Sequence, residues 1–135
     1  MIKMAMARFY NKYRNKKIEN KTFGKFDSKH EYNTFLYLLA LQQNGDISEL
    51  KRQVAIDLTP NKPTHKVRYI ADFTYKDKEN VLIIADAKGI PTAEYRIKRE
   101  WLLNEYKGFR FIEYYKDFVK EFEAIGYKDI VFLNQ

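Results

Sequence analysis

The sequence of 135 residues contains no cysteine and only two histidines. Without cysteine the chain cannot form disulfides, thiolate metal sites or a cysteine nucleophile, and this composition is typical of a reducing compartment. His30 and His65 each lie beside a lysine, and neither has a partner at the spacing of metal ligands. We therefore expect both histidines at the surface, and metal chemistry based on histidine or cysteine is not indicated.

Long hydrophobic runs and prolines are also scarce. No apolar run approaches the roughly 20 residues that span a bilayer, and Lys3 interrupts the apolar opening of the chain before a secretory signal could form. We expect a cytoplasmic location and no membrane partner. A chain of 135 residues is long enough for one core but not for two, and 45% hydrophobic residues are enough to form it. Its three prolines do not suggest a division into domains. We predict a basic N-terminal arm, residues 1–25, followed by a single domain, residues 26–135.

Acidic residues are outnumbered by basic ones, 18 against 25, which gives a formal net charge of +7. Such a charge attracts polyanions, so nucleic acid is the expected partner. Residues 3–21 hold seven basic residues and one acid, interleaved with aromatic residues. Lys12, Arg14 and Lys16 are candidate phosphate contacts; the alternative is a solvated terminus, with a small hairpin over residues 18–23.

The pattern of apolar residues predicts a mixed sheet with helices. Ser28 is a good N-cap, and Asn44-Gly45 ends the helix that begins there. The third strand is almost continuously apolar, so we expect it at the centre of the sheet. In chain order, the predicted elements are a helix at 28–43, strands at 53–58, 66–75 and 81–87, a helix at 92–106, a strand at 109–114, a helix at 116–124 and a final apolar run at 130–133.

Two acids and a lysine stand out in the second and third strands. Asp72 interrupts an apolar and aromatic run, whereas Asp86 and Lys88 end the third strand and project to the same side, because side chains alternate. The polar connector at 76–80 predicts a hairpin, which brings Asp72 near Asp86. An Asp-x-Lys at a strand end is commonly a solvated terminus, but acids are depleted in strands, so Asp72 favours a functional interpretation. A divalent cation, Mg²⁺ or Mn²⁺, would neutralise the pair.

Glu31 has two interpretations. It lies three residues after Ser28, the spacing of a capping box, and it also lies where a first helical turn could supply a third metal carboxylate. Spacing alone favours the cap.

The order helix, three strands, helix, strand, with these acids, resembles the PD-(D/E)xK nuclease superfamily over residues 28–114. The motifs Phe-Asp-Ser-Lys-His-Glu at 26–31, Tyr-Ile-Ala-Asp-Phe at 69–73 and Asp-Ala-Lys-Gly at 86–89 are also similar to a family of small phage proteins of unknown function. That family is similar in motif layout to RecU-type Holliday junction resolvases. Ala71 stands where the superfamily has its proline, and Asp86 where many members have glutamate.

The resemblance implies an α/β fold with a restriction-endonuclease-like core, in which helices flank a mixed β-sheet in the order α-β-β-β-α-β, plus a C-terminal helix and strand. It implies that Asp72, Asp86 and Glu31 hold the metal and that Lys88 orients the attacking water or stabilises the pentacovalent phosphate. It adds Gln53, on the first strand, as a further candidate. The basic helix face carries the remaining candidate DNA contacts, with simple solvation as the alternative; these are Arg96, Lys98 and Arg99.

The sequence thus predicts a Mg²⁺- or Mn²⁺-dependent DNA endonuclease that leaves 5′-phosphate and 3′-hydroxyl ends. The resemblance favours a phage-type resolvase of Holliday junctions or other branched DNA, acting as a homodimer in the host cytoplasm. Two alternatives stay open: a non-catalytic DNA-binding or assembly protein on a nuclease fold, and a general duplex nickase.

Overall fold

The computed structural model describes residues 17–133, in which two helices and nine strands are formed. The helices are α1 (Lys29–Gln43) and α2 (Ala93–Glu105). The strands are β1 (Ile18–Asn20), β2 (Gly24–Phe26), β3 (Ser48–Asp57), β4 (Arg68–Lys76), β5 (Leu82–Ala87), β6 (Tyr106–Lys107), β7 (Phe109–Tyr114), β8 (Val119–Glu123) and β9 (Lys128–Asp129).

A mixed five-stranded sheet, in the order β3-β4-β5-β7-β8, forms the centre of this α/β structure. Strands β3, β4 and β5 are antiparallel neighbours, and β7 and β8 are antiparallel to each other. Strand β5 runs parallel to β7, because α2 lies between them in the chain and acts as the crossover that a parallel pair requires. The central position predicted for β5 from its apolar sequence is confirmed.

Two hydrophobic clusters cover the two faces of the sheet. On one face α1 contributes Phe35 and Leu38. On the other face α2 contributes Leu102 and Leu103, which pack with residues that include Ile84 of β5. Burial of these side chains is the main stabilising contribution of each layer.

Strand β4 changes face at Asp72. Tyr69 and Ala71 belong to the cluster under α2, whereas Phe73 and Tyr75 belong to the cluster under α1. Regular alternation would put all four residues on one face. On the neighbouring strand β3, Gln53 has φ 51° between the register pairs on either side of Asp72. The sheet is therefore irregular at the position of the predicted catalytic acid.

The predicted C-terminal helix at 116–124 is wrong, since β8 occupies Val119–Glu123. The apolar residues recur at a helical spacing, but a tight turn closes first: the backbone N–H of Tyr115 donates to the carbonyl of Phe118 at 2.8 Å. The chain then pairs with β7, where it satisfies backbone groups at that edge of the sheet. Near the predicted final strand, β9 pairs with β6, and Phe132 forms a single bridge to Ile56.

Other boundaries differ by smaller amounts. Strand β3 spans Ser48–Asp57, so it begins five residues before the predicted start at residue 53. The predicted second helix ends at Glu105 rather than 106, and Gly108 (φ 84°) follows the short strand β6. The predicted hairpin near residues 18–23 is present as β1 and β2, and the predicted end of the basic arm, residue 25, falls inside β2. Among the described residues, neither helix is long and apolar enough to cross a membrane.

Candidate active site

The site lies where β4 and β5 separate. Their ladder is regular as far as the pair Phe73–Ala85, and the next opposed pair would be Asp72 and Asp86. Here carboxylates replace carbonyl acceptors: the Asp72 N–H donates to Asp86 Oδ1 at 2.8 Å, and the Ala87 N–H donates to Asp72 Oδ2 at 3.0 Å. The predicted proximity of the two acids is confirmed, and the strands hold both side chains in fixed positions.

Glu31 reaches the same place from the first turn of α1. Its backbone N–H donates to Ser28 Oγ at 3.0 Å, so the predicted N-cap is formed. Its buried carboxylate instead interacts with the Asp72 side chain and lies 3.5 Å from Arg52 Nη2. The Glu31 backbone therefore takes part in the Ser28 cap, whereas its side chain joins the acid cluster.

Burial and like charge shift the titration of all three acids. Burial raises the pKa of Asp72 to about 7, with a further contribution from the charge of Glu31. Burial, followed by the charge of Asp72, raises the pKa of Asp86 to about 7, although Lys88 opposes both shifts. Burial also raises the pKa of Glu31. Asp72 and Asp86 ionise fully at neutral pH only if positive charge is brought to them.

The carboxylate oxygens of this site are ligands of the kind that bind a divalent cation whose other ligands are water or phosphate oxygens. Within residues 17–133, no group of three or more His, Asp or Glu side chains is arranged to hold a metal ion as the side chains stand. Asp72 and Asp86 form an opposed pair, with Glu31 beside Asp72. Mg²⁺ is commonly held by one or two carboxylates together with water and phosphate oxygens. The residues present therefore fit Mg²⁺ or Mn²⁺.

Lys88 follows β5 on the same side of the site as Asp86. Its backbone N–H donates to the carbonyl of Tyr114 at 2.9 Å, and its Nζ lies 3.9 Å from the ring centroid of Tyr95. Lys88 and Asp86 both line a cleft of about 290 Å³ beside α2. Lys88 also lines a larger cleft of about 640 Å³ at the start of α1. Lys88 therefore borders both clefts, and its positive charge acts on Asp72 and Asp86.

A buried network behind the acids was missed from the sequence. Tyr69 donates its hydroxyl to Asp86 Oδ2, and Tyr95 donates to Glu113 Oε2 at 2.6 Å. Glu113 pairs in register with Asp86 and also accepts from Arg99 Nη1 at 2.9 Å. Glu113 carried the same signal as Asp72, since it is an acid inside the apolar and aromatic run from Phe111 to Tyr115.

Hydrogen bonds decide the titration of Glu113. Burial raises its pKa, but donors on Tyr95, Arg99 and Tyr115 outweigh that effect, and the pKa is lowered. Glu113 is therefore an ionised, fully enclosed group that holds Tyr95 and Arg99 in place.

The predicted DNA contacts on α2 are placed differently from one another. Arg96 is exposed, and Lys98 lines the smaller cleft, where it lies 3.6 Å from Glu94. Arg99 is turned inward onto Glu113, and only 15% of its side chain is exposed. The predicted contacts on the arm, Lys12, Arg14 and Lys16, lie outside the described residues.

Two further predictions concern single side chains. Gln53 is exposed on β3 opposite Asp72, with the positive φ noted above. His30 is buried, so its predicted surface position is wrong: it follows Ser28 into the first turn of α1, and its Nε2 lies 2.8 Å from the carbonyl of Tyr114. Because a carbonyl only accepts, Nε2 is the protonated nitrogen. His65 is exposed, as predicted.

Arg52, which the sequence did not single out, joins the N-terminal hairpin to the site. Its guanidinium lies 3.6 Å from the ring centroid of Phe26 and donates to the carbonyls of Phe23 and Lys25 at 2.8 and 2.6 Å. The same group lies beside Glu31. Arg52 therefore balances part of the negative charge of the acid cluster.

A model of a protein family described as "Protein of unknown function (DUF1064)" matches residues 10–119. The chain belongs to the DUF1064 family. The matched region contains Glu31, Asp72, Asp86 and Lys88, as well as Glu113, and it ends at the first residue of β8. A search of curated proteins found no match.

Proposed function

We propose that this DUF1064 protein is a metal-dependent DNA endonuclease. The observation that carries the proposal is the convergence of Glu31, Asp72, Asp86 and Lys88 where β4 and β5 part. Opposed carboxylates can hold a metal ion that activates water for phosphodiester hydrolysis, and a lysine can add positive charge at the phosphate. The raised pKa values of Asp72 and Asp86 show that the fold holds negative charge there at a cost. Such perturbed groups are concentrated at functional sites.

The topology supports a restriction-endonuclease-like interpretation of the fold. The chain runs through α1, β3, β4, β5, α2 and β7, which is the order helix, three strands, helix, strand. The three strands form an antiparallel sheet to which β7 adds in parallel. Fold alone does not assign activity, so the argument depends on the acids and the lysine.

In the proposed reaction, water attacks the phosphorus atom and the bond to the 3′ oxygen breaks. The products carry a 5′-phosphate and a 3′-hydroxyl, and the water proton is transferred to the leaving oxygen or to solvent. A divalent cation at this site would supply acidified water and positive charge for the phosphoryl oxygens. Asp72 and Asp86 would hold that cation, and Lys88 would add positive charge at the transition state. Glu31, next to Asp72, would complete the acidic wall.

The charge of the molecule fits DNA as the polyanion. The formal net charge is +7, although the site itself is acidic. Lys98 lines the same cleft as Asp86, and Arg96 is exposed on the same helix. These side chains can neutralise the phosphates that flank the scissile bond.

Branched DNA is the proposed substrate, and a homodimer is the proposed active form. A four-way junction is resolved by nicks in two symmetric strands, and a two-fold dimer supplies two equivalent sites. Sedimentation of the protein with a four-way junction should give two protomers per junction. A single protomer at saturating protein would contradict this part of the proposal and leave the chemistry of the site untouched.

A second candidate is a DNA-binding protein that keeps the same fold without turnover. One observation favours it: in the described part of the chain, no three acidic or histidine side chains are arranged as the ligands of one metal ion. Such a protein would bind DNA with a steep salt dependence. Its binding would not require Asp86.

The test is cleavage of a labelled four-way junction and a matched linear duplex in Mg²⁺. We expect symmetric junction nicks from the wild type, loss of at least about 100-fold in Asp86→Asn, and no cutting in EDTA. Asp129→Asn, an exposed acid on β9, is the matched control and should cut normally. Equal cutting of the duplex would favour a general nickase. Binding without cutting in Mg²⁺ or Mn²⁺ would overturn the enzyme proposal in favour of the binding protein.

A further inference from the structure

The larger cleft beside Lys88 does not contain the acids and has a different chemical character. It has a volume of about 640 Å³, which lies within the range of pockets that bind small molecules. Its walls come from the start of α1, the loop after β5 and the turn between β7 and β8. The residues that matter most for its chemistry are Ser28, His30, Lys88, Ile90, Lys116 and Phe118.

A stacked aromatic pair forms one wall of this cleft. The rings of Tyr115 and Phe118 lie 4.6 Å apart at an interplanar angle of 10°. Tyr115 is buried and donates its hydroxyl to Glu113 Oε1 at 2.8 Å, so the inner ring is fixed in position. Phe118 keeps 39% of its surface exposed. A rigid, partly open aromatic platform therefore faces solvent one strand away from the acid cluster.

The charge around the platform suits a phosphate. Lys88 and Lys116 line the cleft, against one acid, Asp117. The N-terminus of the 15-residue helix α1 forms another wall and contributes the positive end of its dipole. The start of α1 is also linked to Lys88, because the Tyr114 carbonyl accepts from both the Lys88 N–H and His30 Nε2.

We propose that this cleft holds one unpaired nucleotide of the DNA substrate, with its base against Phe118 and its phosphate toward Lys88 and Lys116. In a duplex each base is stacked between its neighbours, so an aromatic side chain can stack only on a base that has left the helix. Lys88 is shared by the cleft and the acid cluster, so this nucleotide would adjoin the scissile phosphate.

This inference rests on the proposed nuclease function and deepens it. It names the substrate class as DNA with an unpaired nucleotide beside a duplex, as at a branch point or a single-strand boundary. A substrate that is paired throughout would leave the aromatic platform unused.

The test uses a DNA duplex that carries one unpaired 2-aminopurine, whose fluorescence falls when it stacks, and a matched duplex in which the same 2-aminopurine is paired. Binding is measured by anisotropy in EDTA with the full chain. We expect the wild type to quench the unpaired probe and to bind that DNA about 10-fold more tightly than the paired duplex. Phe118→Ala should lose the quench and most of this preference, whereas Phe118→Tyr should keep both.

Two further variants protect the test against a folding defect in Phe118→Ala. Lys116→Gln should weaken binding of the unpaired probe and leave its quench intact. Tyr127→Ala removes an exposed aromatic ring on the loop before β9 and should change neither quantity. Equal binding of both DNAs, or a quench that survives in Phe118→Ala, would overturn the inference.

Failure of the cleft and failure of the nuclease proposal give different results. Mg²⁺-dependent cutting without a Phe118-dependent quench would support the nuclease proposal and refute the nucleotide site in the cleft. A Phe118-dependent quench in a protein that never cuts DNA would support the nucleotide site and refute the nuclease proposal.

Discussion

Asp86 is a buried carboxylate whose charge the fold opposes. Burial and the charge of Asp72 raise its pKa to about 7, whereas the unfolded chain titrates at about 3.9. The folded state therefore binds the proton more tightly. The stability that this proton contributes is fully present below about pH 4 and is lost as the pH rises through about 7.

Asp86→Asn should for this reason stabilise the metal-free protein at alkaline pH. We expect its advantage in free energy of unfolding over the wild type to grow by about 2 kcal/mol between pH 5 and pH 8. Urea denaturation in EDTA at the two pH values measures this difference, with Asp129→Asn as the exposed control. An advantage that shrinks toward pH 8 would mean that Asp86 is stabilised as a carboxylate by groups other than a metal.

Glu113 has the opposite titration and the opposite role. It is fully enclosed, its pKa is lowered overall, and its charge is paired with the largely buried guanidinium of Arg99. Glu113→Gln preserves the volume but leaves Arg99 unpaired, so we expect a loss of about 3 kcal/mol in the free energy of unfolding at pH 7. The loss should shrink in acid, where the wild-type carboxylate also becomes protonated. Urea denaturation that shows an unchanged midpoint at pH 7 would contradict this assignment.

At the scale of elements, the end of α2 depends on one glycine in the following chain. A Cβ on Gly126 would lie 2.3 Å from the backbone carbon of Glu105 and the nitrogen of Tyr106. The Gly126 N–H also donates to the carbonyl of Tyr106 at 3.0 Å. This segment lies directly against the junction of α2 and β6, where no flexible side chain can give way.

Gly126→Ala should therefore cost about 1–3 kcal/mol of stability, whereas Gly89→Ala, where a Cβ meets open space, should cost little. Thermal unfolding of both variants measures the contrast. Equal midpoints would mean that the chain after β8 does not pack on α2 as described.

Local signals predicted most of these helices and strands, because the two differ in the period of their apolar residues and in the residues that cap them. Ser28 and Gly45 bound α1, and the near-continuous apolar residues of β5 identified a central strand. The chain at β8 was mispredicted because the residues that hold it in a strand are distant partners on β7, which a helical spacing of Phe118 and Phe122 does not reveal.

The site was predicted in part for a similar reason. An acid inside an apolar and aromatic run is a local signal, and it identified Asp72; the same signal at Glu113 was overlooked. Arg52 and the burial of His30 depend on contacts with residues far away in the chain, which no spacing in the sequence reveals.

At the scale of the whole molecule, the positive charge should govern DNA affinity. Lys98 lines the cleft of Asp86, so Lys98→Gln should lower the slope of log affinity against log salt by about 1, through the loss of one phosphate contact. Lys78→Gln is the matched control. Lys78 lies in the turn before β5, whereas Asp86 lies at the other end of that strand. Anisotropy titrations across a salt series measure both slopes. Parallel slopes for the wild type and Lys98→Gln would place the DNA elsewhere.

The central claim is that Asp72 and Asp86 together hold a divalent cation. The measurement that tests it most directly is a calorimetric titration of the metal-free wild type, Asp72→Asn, Asp86→Asn and Asp129→Asn with Mn²⁺ at pH 8. The account predicts one Mn²⁺ per chain for the wild type and Asp129→Asn, and at least about 10-fold weaker binding when either acid of the pair is replaced. Equal Mn²⁺ binding by all four proteins, or none by the wild type, would contradict it.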